Sequence, residues 1–220
     1  MDPRVVARAL ANAAARGQLA ELQALVDQHA AILLHGQCLA VPLRYAAENG
    51  HHQCVALLLD RRANVNGQGF STPISLAQCS LQHYVALCAD TNAPGIRRAT
   101  PLYLAAEKGH HQCVALLLDR HADINADEGT VSPLHIASSN GHHQCIELLL
   151  DRHADIHARD DYKRSPLHIA ATNGHHQCIE LLLDRHADIH ARDDYKRSPL
   201  HDAAEKGHHQ CVALLLDRHA

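Results

Sequence analysis

The chain has 220 residues, of which 46% are hydrophobic and 20% charged, and carries a formal net charge of −4 with histidine neutral. That balance supplies no basic field for nucleic acid. Its longest aliphatic runs are near five residues, against the ~20 that a membrane-spanning helix needs. Only 3% of residues are aromatic, with no Trp and one Phe, so the core must be thin and built from aliphatic side chains and Ala. Against that poverty stand 22 His and 8 Cys.

From Met1 to Gly17 the chain is Ala-rich, with Arg4, Arg8 and Arg16 and a single acid, Asp2. Arg8 and Asn12 interrupt the apolar run that a signal peptide requires. The segment reads better as part of a first structural unit than as a mitochondrial presequence. Ala14-Ala15-Arg16-Gly17 through Val26-Asp27-Gln28-His29-Ala30 forms the first copy of a pattern that then recurs. Later copies each open on a proline, at Pro42, Pro73, Pro101, Pro133, Pro166 and Pro199, spaced by 31, 28, 32, 33 and 33 residues. The block His142 to Gly174 is repeated from His175 to Gly207 with three changes: Asp202 for Ile169, Glu205 for Thr172 and Lys206 for Asn173. Seven units follow, at about 1–36, 37–66, 67–95, 96–126, 127–159, 160–192 and 193–220, in a single domain over 1–220.

One unit reads as two short helices and a loop. Ser165-Pro166 places a hydroxyl at the N-cap and Pro at the first helical position, where its missing N–H is harmless. Leu167, Ala170, Ala171 and Gly174 share one small face, and Gly174 ends the helix. Cys178, Ile179, Leu182 and Leu183 make the apolar stripe of the second helix. His190 to Arg197 is polar and turn-rich. A pair this small cannot bury its stripe alone, so copies must stack.

These residues resemble the ankyrin repeat. The family's signature is matched by Ser165-Pro166-Leu167-His168, Ala170-Ala171, Gly174-His175, Leu182-Leu183 and Ala187-Asp188-Ile189-His190, and the resemblance covers nearly the whole chain. It implies an all-α, right-handed solenoid of antiparallel helix pairs, with hairpin-like loops that project to one side as a concave palm. Some residues depart from the pattern. His121, His153, His186 and His219 stand where the family usually has a left-handed Gly, with Arg62 and Asn92 in the second and third units. Lys163 and Lys196 replace the hairpin Gly, which puts the tip geometry in question. The unit from Pro73 to Thr100 is degenerate, with Ser80 where Gly is expected, so an irregularity or a bend is expected there.

The repeated His-His-Gln-Cys, at His51 to Cys54, His110 to Cys113, His142 to Cys145, His175 to Cys178 and His208 to Cys211, invites a zinc reading. One helix supplies too few ligands, however, and the next lies about 10 Å away. The Cys sits on the buried stripe and reads as a small hydrophobe. No metal and no cofactor are expected. Free buried thiols suit a reducing compartment, so the chain is expected inside the cell, in cytoplasm or nucleus. His135, His168 and His201 resemble the family's structural histidine, which ties adjacent loops. A catalytic reading of Ser165 with His168 lacks an oriented acid and an oxyanion site, so no enzyme is expected.

By the resemblance, a partner protein binds the palm. The residues carried over are Arg159, Asp161, Tyr162, Arg164, Thr172 and Asn173 in the sixth unit. The seventh supplies Arg192, Asp194, Tyr195, Arg197, Glu205 and Lys206, with Tyr103 and Tyr45 further back. Tyr and Arg are the side chains most enriched in interface hot spots. The leading expectation is thus a scaffold or adaptor module. The alternatives are a His-rich sensor of pH or metal, or a loop substrate of a protein hydroxylase at Asn66 and Asn125, with His157 and His190 in the equivalent place. The last helix carries the internal pattern, Cys211, Val212, Leu215 and Leu216, so an apolar C-terminal edge is expected, covered either by further repeats or a cap or by a partner such as a second copy end to end.

Overall fold

The computed structural model describes residues 3–29, 39–66, 99–125 and 131–219. Among them are twelve α-helices: α1 (Pro3–Ala15), α2 (Leu19–Gln28), α3 (Ala40–Glu48), α4 (His52–Asp60), α5 (Pro101–Glu107), α6 (His111–Asp119), α7 (Pro133–Ser139), α8 (His143–Asp151), α9 (Pro166–Asn173), α10 (His176–Asp184), α11 (Pro199–Glu205) and α12 (His209–Asp217). The first helix of a pair starts where its hydroxyl and proline place it. Ser165 caps α9 by accepting the N–H of His168, and the His168 ring accepts the N–H of Ser165 in return. This is a capping box with His in the place usually held by Glu. Ser132 and His135 repeat it, and Thr100 caps α5 alone.

Helices this short are marginal in isolation, so their stability comes from packing. First helices stack on first helices, α1–α3–α5–α7–α9–α11, and second on second, α2–α4–α6–α8–α10–α12. Between the two layers runs one continuous core that includes Leu10, Leu43, Leu58, Leu117, Leu149, Leu182 and Leu215, all with no exposed surface. Three ladders run along its outside. Arg61, Arg120, Arg152, Arg185 and Arg218 each reach back to an Asp in the last turn of the preceding second helix, at 2.6–2.9 Å. These pairs are exposed, and each contributes little. Asn66 and Asn125 accept the N–H of Asp123 and Asp155 in the next unit.

The third ladder is buried deeper. The first His of each His-His-Gln-Cys lays its ring on the left-handed Gly of the preceding unit: His51 on Gly17, His110 on Gly50, His142 on Gly109, His175 on Gly141 and His208 on Gly174. Its Nε2–H donates to a carbonyl at 3.0 Å, from Ala15, Glu48, Glu107, Ser139 and Thr172 in turn. Glycine is required there twice over, for the positive φ and for the space the ring occupies.

The second unit joins directly to the fourth. α3 packs on α5 and α4 on α6. His110 donates to Glu48, Arg120 pairs with Asp60, and Asp123 bonds Asn66. The unit read at 67–95, its Asn92 and the bend expected there lie outside the described residues. In sequence, where the second and the fourth to seventh units have Gly-His it has Ser80-Leu81, and where they have Arg after Asp it has Thr91 after Asp90.

The left-handed turns persist without glycine. Arg62, His121, His153, His186 and His219 have φ between 61° and 67°, and Lys163 and Lys196 have 56° and 59°. Non-glycine residues therefore hold the left-handed turn after the second helices and at the two hairpin tips, at about 1 kcal/mol each.

Candidate functional site

Two hairpin loops, 158–164 and 191–197, carry most of the residues expected to meet a partner. In the first, buried Asp160 closes the turn: its Oδ1 accepts the N–H of Tyr162 at 3.0 Å and of Arg164 at 2.8 Å. Asp193 does the same for Tyr195 at 2.9 Å and Arg197 at 2.8 Å. The loops are then tied to each other. Asp194 N–H donates to Tyr162 O, Lys163 Nζ pairs with Asp194 at 2.7 Å, and Arg159 reaches both Lys163 O and Arg192 O. From below, His135 Nε2–H donates to Arg164 O at 3.2 Å and His168 Nε2–H to Arg197 O at 3.1 Å.

This scaffold holds two tyrosine rings out to solvent: Tyr162 is 55% exposed and Tyr195 72%. The Arg164 guanidinium lies 5.1 Å from the centre of the Tyr162 ring. Arg159, Asp161, Arg192, Asp194, Glu205 and Lys206 are exposed, as is Asn173, while Tyr45, Arg164, Thr172 and Arg197 are half-buried. Thr172 Oγ1–H donates to His168 O, and Asn173 Nδ2–H to Ile169 O.

Tyr103 does not join them. It is buried in a small cluster with Ala99 and Leu104, against Val131 and Ile136 of the following unit, so its ring serves packing and is not a palm contact. Conversely, Asp202 was not singled out as a palm residue, although it takes part in the palm's charge network. Its signal was already present as one of three differences between two otherwise identical blocks.

Ser165 Oγ–H donates to His168 Nδ1 at 2.8 Å, but both residues are buried and the ring's other nitrogen is engaged. The pair is a helix cap with no access for a substrate. Cys54, Cys113, Cys145, Cys178 and Cys211 are free and buried. Burial pushes the thiols of Cys113 and Cys145 up to about 12 and that of Cys178 to about 11. Metal ligation needs the thiolate, so this environment opposes it. Among the described residues no group of three or more His, Cys, Asp or Glu could hold a metal ion. Asn66, Asn125, His157 and His190 are exposed on the loops. At the C-terminal edge Leu216 is 54% exposed, Val212 and Leu214 are half-buried, and Cys211 and Leu215 are buried.

The buried histidines give stability a pH dependence. Burial holds His135 and His168 below the ordinary 6.5, against the opposing pull of the loop carbonyls and of Asp160 near His135 and Asp202 and Asp193 near His168. Arg164 and Arg159 add to the lowering. Both rings are therefore neutral in the folded chain at a pH where the unfolded chain already takes up protons. Their contribution is complete above about 6.5 and is lost as the pH falls below it. Melting temperatures should be level from pH 8 to 7 and fall steadily from 6.5 to 5. A flat profile across that range counts against this account.

Stacked short helix pairs, side-chain ladders between units and hairpin loops tied to one another define a helical repeat solenoid. Residues 74–160 and 152–220 match the family model for ankyrin repeats in three copies, and 40–69 match the single ankyrin repeat. The chain belongs to the ankyrin-repeat family, whose repeats are protein–protein interaction modules. It is 31% identical over 119 residues to the E3 ubiquitin-protein ligase XBAT33 of Arabidopsis thaliana, covering 50% of this chain and 23% of that one. It is 37% identical over 91 residues to the ankyrin repeat and KH domain-containing protein mask of Drosophila melanogaster, covering 37% of this chain and 2% of that one. With the human ankyrin repeat and KH domain-containing protein 1 it shares 36% over 98 residues, 40% of this chain and 4% of that one. The chain spans less than a quarter of each relative. No helix among the described residues is long and apolar enough to cross a membrane.

Proposed function

We propose that the chain is a binding module without catalysis of its own, a scaffold or adaptor that holds a partner protein on the palm formed by loops 158–164 and 191–197 and by the adjoining helix ends at 172–173 and 205–206. The observation that carries this reading is the pair of exposed tyrosines, each set on a loop fixed by a buried aspartate and a buried histidine. A large amphipathic ring on a rigid support loses little entropy on binding. The five free, buried thiols support a reducing, intracellular setting.

The test is a pull-down from a cell extract with the intact chain and with a Tyr162→Ala, Tyr195→Ala double variant. Both rings are exposed, so the double variant should keep its melting temperature within about 2 °C. Proteins retained by the intact chain should be lost from the variant. Equal retention by both removes the palm from consideration.

A further inference from the structure

Five joints inside the chain use the same groups. The ring at the head of a second helix rests on the glycine of the preceding unit and donates to the carbonyl two residues before that glycine. The Arg at the end of the helix takes an Asp of the preceding unit. His135 and His168 work in the other direction and donate to the loop that follows.

The outward face of α11 and α12 presents one side of the same joint. Gly207 has a left-handed φ of 73°, and nothing lies within 4 Å of a Cβ added there. Glu205 O matches Thr172 O, and Asp217 matches Asp184. Among the described residues no side chain donates to Glu205 O and no cation pairs with Asp217. His201 holds Ser198 through Nδ1, and its Nε2 has no partner among the described residues. The apolar contacts are open as well. Leu200, Ala204 and Val212 match Leu167, Ala171 and Ile179, which are 0–1% exposed. In the last unit Leu200 and Val212 are half-buried, Ala204 is exposed, and Leu216 is 54% exposed.

The first unit does not carry the other side of the joint. Gln18 stands at the place of the ring, Glu21 at that of the buried Cys and Gln28 at that of the Arg, and all three are exposed. They share the helix face that His and Arg turn toward the preceding unit elsewhere. A second copy set end to end would bury the Glu21 carboxylate without a partner.

We infer that the face of α11 and α12 docks a helix pair of the same repeat kind from a partner protein, selected by a His at the head of its second helix and an Arg at the end of it. The His ring rests on Gly207 and donates to Glu205 O, the Arg pairs with Asp217, and the partner's loop accepts from His201. The partner's apolar stripe covers Val212 and Leu216. The surface is continuous with five interfaces of this form inside the chain. It does not include the loop tyrosines, so it stands apart from the function proposed above.

The probe is this chain given the matching face by Gln18→His, Glu21→Val and Gln28→Arg, with Gly207→Ala to close its own last unit. All three added groups replace exposed side chains, and a thermal melt checks folding. Sedimentation velocity is run on the parent, the probe and their mixture. Parent and probe alone should sediment as monomers, and the mixture should form a one-to-one complex. Two changes in the parent should each weaken that complex about tenfold or more: Gly207→Ala, whose methyl takes the place of the ring, and Leu216→Lys, which puts a charge among the apolar contacts. Leu216 is exposed, so its variant keeps the fold, and a melt confirms both. A mixture that stays monomeric overturns the docking surface. A complex that either change leaves intact overturns the joint as its mode. A parent that self-associates, and loses this with Leu216→Lys, has a second copy on the face, which overturns the selection by His and Arg.

Discussion

Replacing Gly174 by alanine should destabilise the chain by roughly 3 kcal/mol, and replacing Gly207 by only about 1 kcal/mol. Both glycines are left-handed, with φ of 77° and 73°, so the backbone term is shared. They differ in what a methyl group would meet. At Gly174 an added Cβ lies 2.6 Å from Nδ1 of His208, and the ring cannot retreat without giving up its 3.0 Å bond to Thr172 O. At Gly207 nothing lies within 4 Å. Urea unfolding followed by circular dichroism separates the two variants. Equal losses at the two sites would mean that the ring moves aside freely and that the His–Gly ladder is not a structural joint.

The second large effect concerns the thiols. Cys178 is 1% exposed on the inner stripe of α10. Cys178→Val roughly conserves volume and should stay within about 1.5 kcal/mol of the parent. Cys178→Asp buries a charge with no partner and should cost more than about 3 kcal/mol, enough to unfold the surrounding units. The same urea titration measures both. If the valine variant lost as much as the aspartate variant, the sulfur would have a role beyond filling space.

What could be read from the sequence was what each unit decides locally. Ser165-Pro166 announced a helix start because the hydroxyl and its acceptor are three residues apart. Gly174 announced a helix end because only a left-handed residue completes that turn. The ladder was not legible, because the joints pair residues 35 to 62 positions apart and the significance of Gly-His lies in the neighbour's ring. The first His of the repeated motif therefore invited a ligand reading, when its ring is already committed to a carbonyl. Tyr103 was misplaced for a similar reason, since the surface that covers it belongs to the next unit. The tip geometry that Lys163 and Lys196 put in question is settled locally, because Asp160 and Asp193 each organise a turn within four residues. Asp202 illustrates the limit: the substitution was visible at once, but not that it would pair with Arg197, whose counterpart Arg164 holds Asp160.

The His–Gly joint also bears on how such a chain changes in length over generations. Every joint is made by the same few groups, so a unit that brings its own His, Gly, Arg and Asp fits between any two others. Copy number can then rise or fall by recombination between near-identical stretches, with no compensating change in the neighbours. The two blocks that differ at three positions in thirty-three show how nearly interchangeable two such units can be. The second and fourth units show the same groups at work, with His110 on Gly50 and Arg120 on Asp60. Substitutions on loops or on the exposed face of one helix leave those joints untouched, so one unit can change its surface while its neighbours keep the fold intact.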